Sequence, residues 1–306
     1  MNISKITLGT AQIGFDYGIA NVSGKPDFQT AIKLLKFARD NGINTFDTAP
    51  DYGNSEEIIG SFISSLSNEF REEIIISSKL PKIEKNNVLT FDTIYNFIKD
   101  NIIQTLTKLK LSVLPIYLIH HTPDIFLNNG IIIDCLSQLR EERLIERIGA
   151  SIYNPDQVET SLRFKEIEVI QIPINIFDKR LIESGLLKKL KDQNYIIFAR
   201  SIYLQGLFFK SPKNLPKYLN IAETPLSKLQ KMSNKYNIDI AKIALLFIRD
   251  IPEIDSLVIG VEKVEQLADN INILKEEPLD PNLRQEIFEE FSDLPEKIIN
   301  PSMWNL

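Results

Sequence analysis

At 306 residues the chain has the length of one α/β barrel or of two smaller domains. Hydrophobic residues at 43% and charged residues at 25% describe a globular protein able to bury a sizeable core. The 35 basic and 41 acidic residues leave a net charge of −6 with no long basic run, which argues against a nucleic-acid partner. The start, Met1 to Ile6, lacks the apolar core of a signal peptide, and no apolar run approaches the ~20 residues that span a bilayer, so no membrane partner is expected. The single Cys135 excludes an internal disulfide and fits a cytoplasmic protein. With two histidines, His120 and His121, no metal centre is expected.

Short apolar runs alternate with segments of helical periodicity. The runs Ile6–Leu8, Thr45–Phe46, Ile74–Ser78, Ile116–Ile119, Ile145–Gly149, Val169–Ile172, Ile196–Ala199 and Leu257–Ile259 read as strands. Between them, Ala31, Leu34, Leu35 and Ala38 keep helical spacing, as do Ile94, Phe97, Ile98 and Ile102, with Leu106 and Leu109 beyond. Strand followed by helix, eight times over, predicts a parallel sheet. An open doubly wound sheet would carry a Gly-x-Gly-x-x-Gly turn after an early strand, and none is present. A closed (β/α)8 TIM barrel forming one domain over 1–306 fits better. Residues 207–224 form a long connection after the seventh strand, able to fold over a site. The tail from Leu279 adds a helix over Pro281–Phe291 and an irregular end with Trp304.

Four polar residues stand at or just past the ends of strands two, three and four. Asp47 ends the second run and Tyr52 lies on the loop after it. Ser55, followed by Glu56 and Glu57, has the composition of a helix start. Along the third run Ile75, Ser77 and Lys79 share a face, so Lys79 can point to the barrel mouth. His120 directly ends the fourth run, which favours it over His121 as the residue facing the pocket. Each alone has a bland reading as a cap, a surface group or packing. Together, on one barrel face, they form a constellation. Cys135 on its apolar helix face reads as a buried thiol, Phe208, Phe209 and Trp304 as packing groups, and Tyr17 as a neighbour of the cleft.

The chain resembles the aldo-keto reductase superfamily. The resemblance rests on Gly42-Ile-Asn-Thr-Phe-Asp-Thr-Ala-Pro-Asp-Tyr-Gly, Ser78-Lys79, Tyr117-Leu-Ile-His120, Arg147-Ile-Gly-Ala-Ser151 and Gln171-Ile-Pro-Ile-Asn175. It continues through Ala199-Arg-Ser-Ile-Tyr-Leu-Gln-Gly206 and Val258-Ile-Gly-Val to Asn270. It implies a catalytic tetrad of Asp47, Tyr52, Lys79 and His120 and an NAD(P)H-dependent reduction of an aldehyde or ketone. In that scheme Tyr52, whose free pKa is about 10, gives the proton, and the Lys79 ammonium lowers that value. Asp47 holds Lys79, and His120 donates to the carbonyl oxygen.

The same resemblance implies cofactor contacts from Gly9, Thr10, Asp47, Ser151, Gln171, Arg200, Ser201, Leu204, Gln205, Gly206, Gly260, Lys263, Gln266 and Asn270. Ser151 and Gln171 take the nicotinamide carboxamide, Arg200 occupies a position where an aromatic residue commonly stacks, and Ser201, Leu204, Gln205 and Gly206 fall where the family's loop wraps the pyrophosphate. Ile152 stands where the family usually has Asn. NADP(H) is expected first on the family's habit, with NAD(H) second, because Glu262 repels a 2′-phosphate and Gln266 stands where an arginine often sits. A small-molecule carbonyl is the expected partner, and the resemblance to members associated with cell-surface polysaccharide synthesis suggests one derived from a sugar. Oligomeric state is left open. Two other readings compete: a non-catalytic nucleotide-sensing or scaffold member of the fold, and an aldolase using Lys79 as Schiff-base former.

Overall fold

All eight apolar runs are strands in the computed structural model, which describes residues 1–83 and 90–304. They are β1 (Ile6–Gly9), β2 (Thr45–Asp47), β3 (Ile75–Leu80), β4 (Leu114–Ile119), β5 (Ile145–Ser151), β6 (Ile167–Pro173), β7 (Ile196–Arg200) and β8 (Ser256–Gly260). Each pairs in parallel with the next, and β8 pairs with β1, so the sheet closes into a barrel. Helices follow the strands, among them Phe28–Asp40, Ser55–Ser64, Phe91–Leu109, Ile131–Glu141, Ile240–Arg249 and Val264–Ile273.

Side-chain alternation along the strands separates two apolar clusters. Ile75, Ile116, Leu118, Val169 and Phe198 pack together inside the barrel. Their neighbours of opposite parity, including Leu8, Phe46, Ile76, Tyr117, Ile148, Ile170 and Ile197, pack outward with the helices. The inward parity reaches the ends of the strands. It therefore carries Gly9, Asp47, Lys79, Ser151, Gln171, Arg200 and Gly260 to one mouth of the barrel.

The helix Phe28–Asp40 is capped by Asp27, which accepts from Thr30 N at 2.7 Å, and buries Ala31, Leu34, Leu35 and Ala38 as their spacing predicts. In Phe91–Leu109 the stripe holds except at Phe97, which is exposed. Ser55 opens the helix Ser55–Ser64, as its composition predicts, but its side chain does not cap it. Its hydroxyl donates to Thr10 Oγ1 at 2.6 Å and lies 3.0 Å from Thr48 Oγ1, tying the β1 and β2 loops together, and Asn54 precedes the helix without a side-chain cap. Glu56 is buried too, accepting from Ser78 and Thr105, and burial raises its pKa.

The connection after β7 folds as short 3-10 segments, Leu204–Phe209, Pro212–Asn214 and Lys217–Ala222, before the helix Glu223–Tyr236. The C-terminal helix spans Pro281–Glu290, and Phe288 packs on Phe247 at 5.2 Å between ring centroids. Beyond it Trp304 is buried and donates Nε1–H to the Lys297 carbonyl at 2.9 Å. Cys135 is buried, and burial pushes its thiol up to about 12. Among the described residues no helix is long and apolar enough to cross a membrane.

Candidate active site

A cavity of about 660 Å3 opens at the strand-end mouth, within the range of small-molecule sites. Asp47, Tyr52, His120, Ser151, Gln171 and Arg200 line it. Lys79 lies beneath the wall. Its Nζ donates to Asp47 Oδ2 at 2.6 Å and to the Thr48 carbonyl at 2.9 Å, and it stands 4.8 Å from the centroid of the Tyr52 ring. Bound on both sides and fully buried, this amine is not presented to the cavity, so the geometry does not favour a Schiff-base role. From across the barrel Gln171 Nε2 donates to the other Asp47 oxygen at 2.8 Å.

Backbone contact holds Tyr52 in place. Gly14 and Gly53 pack face to face across the β1 and β2 loops. A Cβ on Gly14 would stand 1.8 Å from the Tyr52 carbonyl oxygen, and one on Gly53, where φ is +56°, 2.3 Å from the Gly14 oxygen. Neither position has room for a side chain, and Gly53 also needs the left-handed backbone that glycine adopts freely.

Two shifts define the electrostatics. The Tyr52 pKa is raised, first by burial and then by Asp47, with Arg200 opposing. This corrects the expected downward pull of Lys79. The ammonium is matched by Asp47 at 2.6 Å, so little net positive charge from that pair reaches the phenol. Tyr52 consequently stays protonated at ordinary pH. His120 is pushed down to about 3 by burial and by Lys79 and Arg200, so its imidazole is neutral at ordinary pH. His121 turns aside, with Nδ1 at 2.8 Å from Asp124 Oδ1.

Most of the expected cofactor residues border the same cavity: Gly9, Thr10, Ser201, Gln205, Gly206, Gly260, Gln266 and Asn270. Leu204 and Lys263 stand apart from its wall. The Leu204 side chain is fully buried, because the loop turns through positive φ there, and Lys263 is an exposed residue preceding the helix Val264–Ile273. In that loop Ser201, Leu204 and Gln205 all have positive φ, at 62°, 47° and 52°, strain of the kind that gathers at ligand clamps. The loop also meets the β1 side. Ile19 N donates to the Gln205 carbonyl at 3.0 Å and Gln205 Nε2 to Tyr17 Oη at 2.9 Å.

The wall suits a nicotinamide nucleotide. Ser151 Oγ and Gln171 Oε1 are only loosely joined, at 3.4 Å, and Gln205 Oε1 is buried with no protein partner, leaving polar capacity for an amide and a polar chain. At the β8 end Glu262 accepts from Gln266 Nε2 at 2.9 Å, while Gln266 Oε1 accepts from the backbone of Glu262 and Lys263. Asp269 lines the same end, and no lysine or arginine of the described residues does so. Asn270 is held by Tyr203 and by the Gln266 carbonyl.

Residues not expected from the sequence complete the wall. Gln12 packs against Gly260, where a Cβ would stand 2.1 Å from its amide oxygen. Tyr153, Tyr203 and Phe209 line the cavity, as do Pro301 and Ser302 of the tail. Tyr153 lies two residues past Ser151, and its ring carries the Arg200 guanidinium at 4.4 Å.

Comparison with known proteins identifies the family and the fold. Residues 5–289 match the model of the Aldo/keto reductase family. An NADH-specific methylglyoxal reductase of Escherichia coli (strain K12) is 25% identical over 306 residues, covering 90% of each chain. An aldo-keto reductase of Bacillus subtilis (strain 168) is 28% identical over 287 residues, covering 86% of this chain and 83% of its own. The same fold occurs in an aldo-keto reductase from Bacillus halodurans in its holo form, with a TM-score of 0.74 at 20% identity over 94% of this chain and 92% of that one. The chain belongs to the aldo/keto reductase family, whose members are oxidoreductases that reduce carbonyls with a nicotinamide cofactor.

Proposed function

We propose that this chain reduces an aldehyde or ketone to an alcohol, with Tyr52 as proton donor and NADH preferred over NADPH. The observation that carries the reading is the meeting of Tyr52 and His120 in one cavity over the buried Asp47–Lys79 pair.

A reduced nicotinamide, when bound, supplies the hydride. The chain's own residues handle the oxygen. Neutral His120 donates an N–H to the carbonyl and orients it. Protonated Tyr52 gives its proton as the oxygen becomes an alkoxide, a stronger base than phenolate. Lys79, fixed by Asp47, holds the Tyr52 ring in place at 4.8 Å from its centroid, and the Arg200 charge favours the phenolate left behind. Ser151 and Gln171 would hold the carboxamide, and Ser201, Gln205 and Gly206 the pyrophosphate. Glu262 suits ribose hydroxyls and repels a 2′-phosphate, which favours NADH over the NADPH of the family's habit. The Escherichia coli relative is named for NADH and methylglyoxal, and both enter the test.

Purified protein is titrated with NADH and NADPH, then assayed by cofactor absorbance against methylglyoxal, simple aldehydes and a keto-sugar. Turnover with tighter NADH binding is expected. Nucleotide binding without turnover on any carbonyl favours the scaffold reading, and tighter NADPH binding removes the cofactor assignment.

A further inference from the structure

We propose that Arg200 recognises an anionic group, a carboxylate or a phosphate monoester, carried by the carbonyl substrate, an inference that rests on the reductase reading above. The charge on the cavity wall carries it. Among the described lining residues Arg200 is the one arginine or lysine, against the acids Asp47, Glu262 and Asp269. Asp47 is already matched by Lys79 at 2.6 Å, and Glu262 and Asp269 belong to the β8 side, where Glu262 is engaged by Gln266. His120 is neutral. The part of the cavity holding Tyr52 and His120 is therefore left with one uncompensated positive charge.

The guanidinium is built to present that charge. Its hydrogen bonds go to neutral oxygens, Ser201 Oγ at 3.3 Å and the Ile152 carbonyl at 3.1 Å, and it forms no salt bridge among the described residues. Nε is buried without an acceptor. The Tyr153 ring, 4.4 Å from the guanidinium carbon, fixes its plane. A fixed planar fork with spare N–H groups matches a carboxylate or phosphate better than it matches a neutral group. Its charge also reaches the reacting residues, since Arg200 acts on both Tyr52 and His120. A substrate bearing its anion a few bonds from the carbonyl satisfies Arg200 while its carbonyl oxygen meets Tyr52 and His120.

Matched substrates test this. Succinic semialdehyde is compared with butanal, and glyceraldehyde 3-phosphate with glyceraldehyde, in the wild type, Arg200→Met and Arg200→Lys. Within each pair the ratio of kcat/KM cancels any damage common to both substrates. We expect at least one anionic member to be favoured by about tenfold, the scale of one charge-assisted contact, with the ratio falling to about one in Arg200→Met and partly kept in Arg200→Lys. The favoured pair distinguishes carboxylate from phosphate. A wild-type ratio near one, or a ratio unchanged in Arg200→Met, overturns the proposal.

A second arm is independent of turnover. The NAD+-saturated protein is titrated calorimetrically with succinate and with inorganic phosphate. Binding of at least one, weakened about tenfold in Arg200→Met, is expected. Binding of neither overturns the proposal, and binding seen only before NAD+ is added overturns it by assigning Arg200 to the cofactor. Anion binding without turnover of any carbonyl supports the anion site and removes the reductase reading. Turnover of neutral carbonyls without anion preference does the reverse.

Discussion

Lys79 and Asp47 form an ion pair inside the barrel with Nζ and Oδ2 at 2.6 Å, and each side chain is almost wholly buried. Removing one partner strands a charge in a low-dielectric interior. Asp47→Ala or Lys79→Met is expected to cost about 3–5 kcal/mol, while the double variant loses less than the sum. Urea unfolding of the four proteins measures the coupling. Additive costs would show that the two charges do not depend on each other.

Tyr52→Phe removes only the phenolic oxygen of a ring held between Lys79 and Phe15. Carbonyl reduction is expected to fall by about 10²–10⁴-fold with NADH affinity retained. Steady-state rates and a fluorescence titration separate the two quantities. Full activity in this variant rules out Tyr52 as proton donor.

Acid should act on the fold through His120. Its folded pKa of about 3 lies below the unfolded value, so between these values the unfolded chain binds more protons and stability falls as pH drops. From pH 6.5 to 5 the loss attributable to this one group is about 1–2 kcal/mol, allowing for partial exposure. His120→Asn should show a correspondingly smaller decline in urea unfolding. An equal decline in both proteins would remove His120 as the source.

Glu262 governs the cofactor's adenosine end under the reading above. Glu262→Arg is expected to shift the NADPH-to-NADH affinity ratio toward NADPH by about tenfold or more, since it replaces repulsion with attraction. Titration of both nucleotides with both proteins gives the ratio. A ratio that does not move takes Glu262 out of cofactor selection.

Gly14→Ala should displace Tyr52, because the added methyl meets the Tyr52 carbonyl rather than a flexible side chain. Overpacking of this kind costs about 1–3 kcal/mol. The larger effect is expected on turnover, with unfolding and kcat measured on the same preparation. Loss of stability at wild-type kcat would show that the loop relaxes without moving the phenol.

The strands were legible because their apolar runs are short and separated by helical periods. The boundaries moved where a run is interrupted: Pro115 and Glu168 lie inside β4 and β6, so those strands begin earlier than apolar composition indicates. The grouping of Asp47, Lys79 and His120 was legible because strand parity sends successive ends to one mouth, and Tyr52 was legible through the family resemblance of its motif. Parity says nothing about loops. Tyr153, Gln12, Phe209 and Ser302 reach the cavity through turns with no periodic signature, and Leu204 leaves its wall for the same reason. Glu56 reads as a first-turn acid of a helix start, yet it is buried, with Ser78 and Thr105 reaching it from β3 and from a neighbouring helix. The sign of the Tyr52 shift was hidden as well, since it depends first on how deeply the ring is buried and then on Asp47.

The amide of Gln171 reaches Asp47 from β6 to β2, across the full diameter of the ring. The first half of the chain thus contains Asp47, Tyr52, Lys79 and His120 but not the strut that braces the aspartate. Under the proposed mechanism, a half-barrel of β1 to β4 would own the reacting groups without their alignment. On that mechanism catalytic competence is expected to be a property of the closed ring, and its recovery during refolding should report the moment at which the two halves join.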